Sequence, residues 1–326
     1  MAMLPPAGRR ALLAAAVTGF AGTALAQAGR VTRLLVPVPP GGGMDACARL
    51  LAEFAPRDLI GTTIVENRPG GALRIAIEAV QRAEADGRTL LFAPASVFTI
   101  YPHIYRRLSY TMEDSFSPIS TFCEFEIGLA VPGGSPITSL EQYLATVRRE
   151  GGRMAVFGVP AAGSAAHFAG AQLAVLARVP LEHVPYRGSA PAMQDLMAGN
   201  LPALFNVASE FVPLRGTGRV TVLATSGPRR STFMPDVPTF TELGYPDIIV
   251  SEWFGLFAPA RTPAAVIEGL NTAVAGALMR PEVQARLATL GYTPSHMAAA
   301  DFARRIVTER EGWGPVVRAT GFSVEE

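Results

Sequence analysis

The sequence predicts an α/β protein of two lobes, each built on a mostly parallel sheet. Three observations lead there. Short apolar runs alternate with segments of helical spacing. The alternation starts afresh after a break at Pro132-Gly133-Gly134-Ser135-Pro136. A late strand followed by three helices then leaves enough chain to return to the first unit. Strand and helix in strict alternation, with connections long enough for crossovers, favour parallel pairing.

The elements follow in order. Val31 to Val38 is a near-continuous apolar run, as a strand covered on both faces requires, and Asp45 to Phe54 has helical spacing at Ala46, Leu50 and Leu51. Thr62 to Glu66 and Leu90 to Ala93 read as strands, with Arg74 to Ala83 helical between them. A long apolar segment, Phe122 to Val131, leads into the break. Thr138-Ser139-Leu140-Glu141 reads as a capping box for a helix that Gly151-Gly152 ends. Strands follow at Met154 to Gly158, Glu182 to Tyr186, Ala203 to Val207 and Val220 to Thr225, with helices at Ala165 to Leu176 and Ala190 to Met197. Trp253 to Ala258 is a later strand. Thr262-Pro263 is expected to cap a helix with Val266, Leu270, Val274 and Leu278 on its apolar face, and Pro281 to open another that Gly291 stops. A last helix near Ala300 turns Phe302 and Ile306 inward, with Gly314-Pro315 expected to kink or break it. The lobes implied are residues 27–125 with 228–326, and residues 126–227.

Residues 1–26 read as an export signal: Arg9-Arg10, an apolar run from Ala11, and the small-x-small site Ala24-Leu25-Ala26, with cleavage expected after Ala26. An uncleaved anchor is the alternative, and general or twin-arginine export is left open. Without the two arginines of the leader, 26 basic side chains remain against 27 acidic ones, and the chain has no lysine. That balance argues against a nucleic-acid surface. Cys47 and Cys123 are the only cysteines. An exported chain could pair them, but apolar surroundings favour two buried thiols.

Catalytic machinery is hard to find. His103, His167, His183 and His296 are scattered along the chain without metal-ligand spacing, so no metal and no cofactor are expected. Ser164 and His167 are an i, i+3 pair where a serine caps more readily than it attacks. What the chain does offer is glycine and hydroxyl residues at strand-to-helix turns: Pro39 to Gly43, Gly158 to Ser164, and Tyr186 to Ala190. Helix N-termini carry unpaired N–H groups and a positive dipole end, so two such turns facing each other could hold an anion. Each glycine could equally serve only its turn. Gly41-x-Gly43-x-x-Ala46 also fits a dinucleotide fingerprint, with Glu66 at the end of the second strand as ribose acid. An exported nucleotide-dependent oxidoreductase is therefore the rival reading.

The segments "VPVPPGGGMDACARLLA", "IVENRPGG", "DGRTLLFA", "AAGSAAHFAG", "VPYRGSAPAMQDLMAGN", "MPDVPTFTELGYP" and "WFGLFAPARTP" stand in an order and spacing that resemble the Bug family of extracytoplasmic solute receptors. These are the binding components of tripartite tricarboxylate transporters. The resemblance implies a two-lobed periplasmic binding protein of the type II, Venus flytrap kind, not an enzyme. It implies a small carboxylate ligand held largely by main-chain groups, membrane transporter subunits as partners, and a monomer. Carried over by motif, it places ligand contacts at Pro40, Gly41, Gly42, Gly43 and Asp45, at Ser96, at Gly163, Ser164 and His167, and at Tyr186, Gly188, Ser189 and Ala190. Three departures stand out. Asn206 replaces the acid that often recognises an amino or water-bridged group. Gly71-Ala72-Leu73-Arg74-Ile75-Ala76 has lost glycines and gained an arginine. Tyr101 replaces an asparagine. Arg74 either faces solvent or pairs with a distal carboxylate at the cleft mouth.

Overall fold

The computed structural model describes residues 31–324. The expected signal and its cleavage point lie outside the described residues. The first half runs β1 (Val31–Val36), α1 (Gly43–Phe54), β2 (Thr62–Asn67), α2 (Arg74–Gln81), β3 (Thr89–Pro94) and β4 (Phe116–Pro132). Then come α3 (Leu140–Glu150), β5 (Val156–Val159), α4 (Ala165–Ala177), β6 (Glu182–Pro185), α5 (Ser189–Met197), β7 (Leu204–Val207) and β8 (Val220–Thr225). The chain ends with β9 (Ser251–Pro259), α6 (Ala264–Leu278), α7 (Pro281–Thr289), β10 (Thr293–Pro294) and α8 (Ala299–Thr320).

Among the described residues the ten strands form one connected sheet, in the order β2-β1-β3-β9-β4-β7-β5-β6, with β8 and β10 also paired to β4. Two lobes share it through β4. From Phe116 to Glu126 this 17-residue strand pairs antiparallel with β9, and from Ile127 onward with β7 and β8. Parallel pairing is confined to β2-β1-β3 in one lobe and β6-β5-β7 in the other. The strands between them are antiparallel, so each lobe's sheet is mixed rather than mostly parallel. The reason lies in the route of the chain: β4 carries it out of the first lobe and β9 brings it back, and the two must run oppositely.

Ser226 fastens the crossing. Its hydroxyl donates to the Val250 carbonyl at 2.6 Å and accepts the Ile127 N–H at 3.0 Å, and its own N–H reaches the Ile127 carbonyl at 2.8 Å. Outgoing and returning segments are thus tied through one wholly buried side chain.

Three helix signals need correction. Ser139 is the cap of α3 and accepts from the Gln142 N–H, while the Gln142 side chain accepts from the Thr138 N–H at 2.9 Å, so the reciprocal acceptor is Gln142 and not Glu141. Thr262 does not cap α6: Pro263 holds the cap position and makes no side-chain hydrogen bond, while the Thr262 hydroxyl donates to the Pro259 carbonyl. Nor does Pro315 end α8, which continues to Thr320. Buried contacts on both sides of the proline hold it: Phe302 lies edge-on to Trp253 at 4.7 Å, and Val317 is buried beyond. Trp313 reaches Phe168 of α4 at 5.9 Å, so α8 packs on both lobes. Cys47 and Cys123 are free, wholly buried thiols in the core between α1, α6 and the sheet.

Candidate functional site

The turn after β1 is built around Asp45. Its carboxylate accepts the Gly41 N–H at 3.0 Å, Arg49 Nε at 2.9 Å and Asn67 Nδ2 at 2.8 Å, while Asn67 also donates to the Val38 carbonyl. Burial alone would raise this carboxyl, but the bonds from Arg49, Gly41 and Asn67 hold it below the usual carboxylate range. The side chain organises the turn, and Asn67, which the sequence reading missed, is its partner. Gly41 needs its glycine for φ +96°, whereas Gly42 has an ordinary extended backbone, and a Cβ on either would meet nothing within 4 Å. Gly43 differs. A Cβ there would stand 2.0 Å from the Tyr292 hydroxyl, so its glycine is required by packing. No side chain caps α1, and its first backbone bond runs from the Ala46 N–H to the Gly42 carbonyl. The N–H groups of Gly43, Met44 and Asp45 therefore precede the helical ladder.

Ser96 stands just past β3, buried, with its N–H toward Glu252 on β9. Burial lifts the Glu252 carboxyl to about 8, reinforced by Glu309 and opposed by the Ser96 N–H and Arg305. A neutral acid next to Ser96 was not foreseen. Arg74 opens α2 half-buried, with its guanidinium 4.8 Å above the Tyr105 ring and its Nε donating to the Gly71 carbonyl. Tyr105 in turn packs on Tyr101 at 5.1 Å. Arg74 is thus not a fully solvent-facing side chain.

In the second lobe the loops after β5, β6 and β7 are tied together. Gly188 N–H donates to the Pro160 carbonyl at 2.9 Å, and Ser189 Oγ donates to Asn206 Oδ1 at 2.9 Å. Asn206 is wholly buried, and its Nδ2 has no partner among the described residues. Gly188, with φ +103° and open space at its Cβ position, and the exposed Ala190 border solvent. Tyr186 turns its hydroxyl to Asp195 at 2.8 Å. Ser164 caps α4, accepting the His167 N–H and donating to the Ala161 carbonyl. His167 Nδ1 accepts the Gly163 N–H at 3.1 Å. Burial, with His183 stacked 3.8 Å away, pushes the imidazole down to about 3, so it is neutral and its proton sits on Nε2. The sequence separates these two histidines; the fold stacks them.

The loops share one topological place. Those after β1, β3, β5, β6 and β7 all leave the C-terminal ends of parallel strands, where open α/β sheets receive ligands. The lobes meet beside them: a Cβ on Gly163 would lie 2.5 Å from Ile104 Cδ1 of the first lobe. A hollow of about 280 Å³ lies elsewhere, against Pro102, Tyr105, Arg106 and Leu108, and does not include the glycine turns. Glu66, the ribose acid of the rival reading, is bound to Arg33 at 2.8 Å and to Arg68 at 3.1 Å.

Residues 47–322 match the family model described as "Tripartite tricarboxylate transporter family receptor". The chain belongs to this family. It is 32% identical over 295 residues to Protein BugT of Bordetella pertussis, which covers 90% of each chain. MatC of Rhodopseudomonas palustris, solved with bound malate, superposes with a TM-score of 0.80 at 28% identity, over 89% of this chain and 99% of MatC. Rpa4515 of R. palustris, solved with adipate, gives 0.82 at 27% identity, over 90% and 98%. The receptor is thus a two-lobed binding protein of the periplasmic class, and among its described residues no helix is long and apolar enough to cross a membrane.

Proposed function

We propose that this receptor closes on a small carboxylate, di- or polybasic, and delivers it to the membrane subunits of a tripartite tricarboxylate transporter. One observation carries the reading. The uncapped N-terminus of α1 behind Gly41 and Gly42, and the linked second-lobe loops of Gly163, Gly188 and Ser189, all follow the C-terminal ends of parallel strands, which supports a shared ligand cleft between the lobes. Backbone donors at helix N-termini hold a carboxylate without a cationic partner. That two relatives were solved with the dicarboxylates malate and adipate supports the ligand class.

Within this reading Pro40, Gly41, Gly42, Ser96, Gly163, Gly188, Ser189, Ala190 and Asn206 border the ligand. Asp45, Ser164, His167 and Tyr186 shape the loops that do so, and Gly43 contributes an N–H rather than clearance. The lobes are residues 27–125 with 228–326, and 126–227, hinged where β4 changes partners between Glu126 and Ile127 and where Ser226 ties the return. The chain is exported with cleavage after Ala26 and works as a monomer.

A thermal-shift panel of dicarboxylates, tricarboxylates, aromatic acids, amino acids and NADP tests the reading. A ligand at 100 times its Kd stabilises by about 2.7 kcal/mol. Stabilisation by an acid and not by NADP is expected. Stabilisation by NADP alone would replace the receptor reading with the oxidoreductase one.

A further inference from the structure

Cys47 lies on α1 and Cys123 on β4, 76 positions apart, and no other cysteine exists in the chain. Their Sγ atoms stand 3.8 Å apart, with neither residue exposed. A buried side chain touches about 6 to 12 others, a small part of a core this size. Two cysteines serving only as apolar filler have no reason to choose each other. A disulfide needs its sulfurs at about 2.05 Å, so each Sγ must move by less than about 1 Å, within reach of a side-chain torsion.

We propose that Cys47 and Cys123 join in a disulfide while the chain folds after export; the compartment, though not the chemistry, rests on the periplasmic reading above. Each thiol gives up its proton, one Sγ–Sγ bond forms, and the two electrons pass to the disulfide of a dithiol–disulfide oxidant, which leaves as the dithiol. Timing follows from burial. In the closed core no oxidant reaches either sulfur, and desolvation together with the neighbouring Cys47 holds the Cys123 thiol far above the ordinary range, so the attacking thiolate is scarce. The bond therefore forms before α1 settles on the sheet. Once made, it pins the helix behind Gly41 and Gly42 to the strand that both lobes share.

The full chain is refolded from urea in glutathione with glutathione disulfide, and in parallel with excess dithiol reductant. It is also recovered from the periplasm of exporting cells. Each sample is denatured, blocked with a maleimide and weighed intact. The oxidatively refolded and periplasmic chains are expected to carry no maleimide and to have lost two hydrogens. The chain folded in reductant, then given the same glutathione disulfide, is expected to keep two reactive thiols and to melt roughly 5 °C or more below the bridged form. Cys47→Ala should take up one maleimide when folded in reductant, and one maleimide or one glutathione after oxidative refolding. Two maleimides, or two glutathione adducts, on the oxidatively refolded chain would overturn the proposal. A bridged refolded chain beside a cell-derived chain that is reduced and begins at Met1 would uphold the disulfide and refute export.

Discussion

The ring of His167 accepts its own helix-start loop: Nδ1 takes the Gly163 N–H at 3.1 Å, with the Ser164 hydroxyl capping the same turn. A histidine used this way must stay neutral, since a protonated ring has no acceptor. Phe322 covers it edge-on at 4.6 Å, and the His183 ring lies 3.8 Å away, tilted by 33°, so a charge would be poorly solvated.

A pH dependence follows, with a definite sign. The folded pKa, pushed down to about 3 by burial and by His183, lies below the unfolded value near 6.5. Between them the unfolded chain binds a proton that the folded chain refuses. Stability is therefore undiminished by this group above about pH 6.5 and falls as the pH drops toward 3, by at most about 1.4 kcal/mol per unit. His167→Gln keeps an acceptor for Gly163 and removes the titration. Urea midpoints at about pH 7 and about pH 4.5 should converge in the variant relative to the parent. An unchanged difference would mean other groups carry the acid sensitivity.

Gly42 and Gly43 are predicted to part company. A side chain on Gly42 meets open space at φ −84°, so Gly42→Val should fold and melt like the parent while losing ligand-induced stabilisation. Gly43→Ala drives a methyl group into Tyr292 and should cost about 1 to 3 kcal/mol before any ligand is added. Melting curves of both variants, with and without the best acid from the panel, decide it. A Gly42→Val protein that still responds fully would return this turn to a purely structural role.

Much of the fold was legible because the signals are local. Strand-helix alternation and the break at Pro132–Pro136 need only neighbouring residues, and the long apolar run before that break is the crossing strand β4. What escaped depends on distant partners. The three glycines look alike in sequence, yet the reason for Gly43 is Tyr292 at the far end of the chain. Ser226 acquires its role only when Ile127 and Val250 arrive beside it, and Glu252 only when Ser96 does. The mixed pairing around β4 and β9 was missed for a similar reason, since direction across a lobe boundary depends on the return path and not on composition.

The lost glycines after Arg68-Pro69-Gly70 make a third prediction. Ala72 and Leu73 keep left-handed backbones, with φ +50° and +73°, although neither is glycine. Such a conformation costs an L residue about 1 to 2 kcal/mol. Ala72 is exposed, so Ala72→Gly relieves the strain without losing packing and should stabilise by about 0.5 to 1 kcal/mol. Leu73 packs partly against the core, and its replacement by glycine should give less or nothing. Denaturant midpoints measure both. A destabilised Ala72→Gly would show that the turn relaxes out of this conformation in solution.

The same turn presents Arg74. Its Nε is engaged by the Gly71 carbonyl, and its guanidinium plane lies over Tyr105 beside Tyr101, an aromatic seat that suits a planar cation. Arg74 opens α2, the helix that follows the C-terminal end of β2, and we propose that it stands at the mouth of the cleft. A ligand with one carboxylate on the glycine turns would then offer its second to Arg74. A partly exposed charge-assisted bond is worth about 1.5 to 3 kcal/mol, so Arg74→Asn should weaken a diacid roughly ten- to a hundred-fold. The matching mono-acid should lose little, because it never used the arginine. Calorimetric titration of both acids against both proteins separates the cases. A loss shared equally by diacid and mono-acid would assign Arg74 to shaping the Gly71 turn, and no loss at all would leave recognition to the backbone donors.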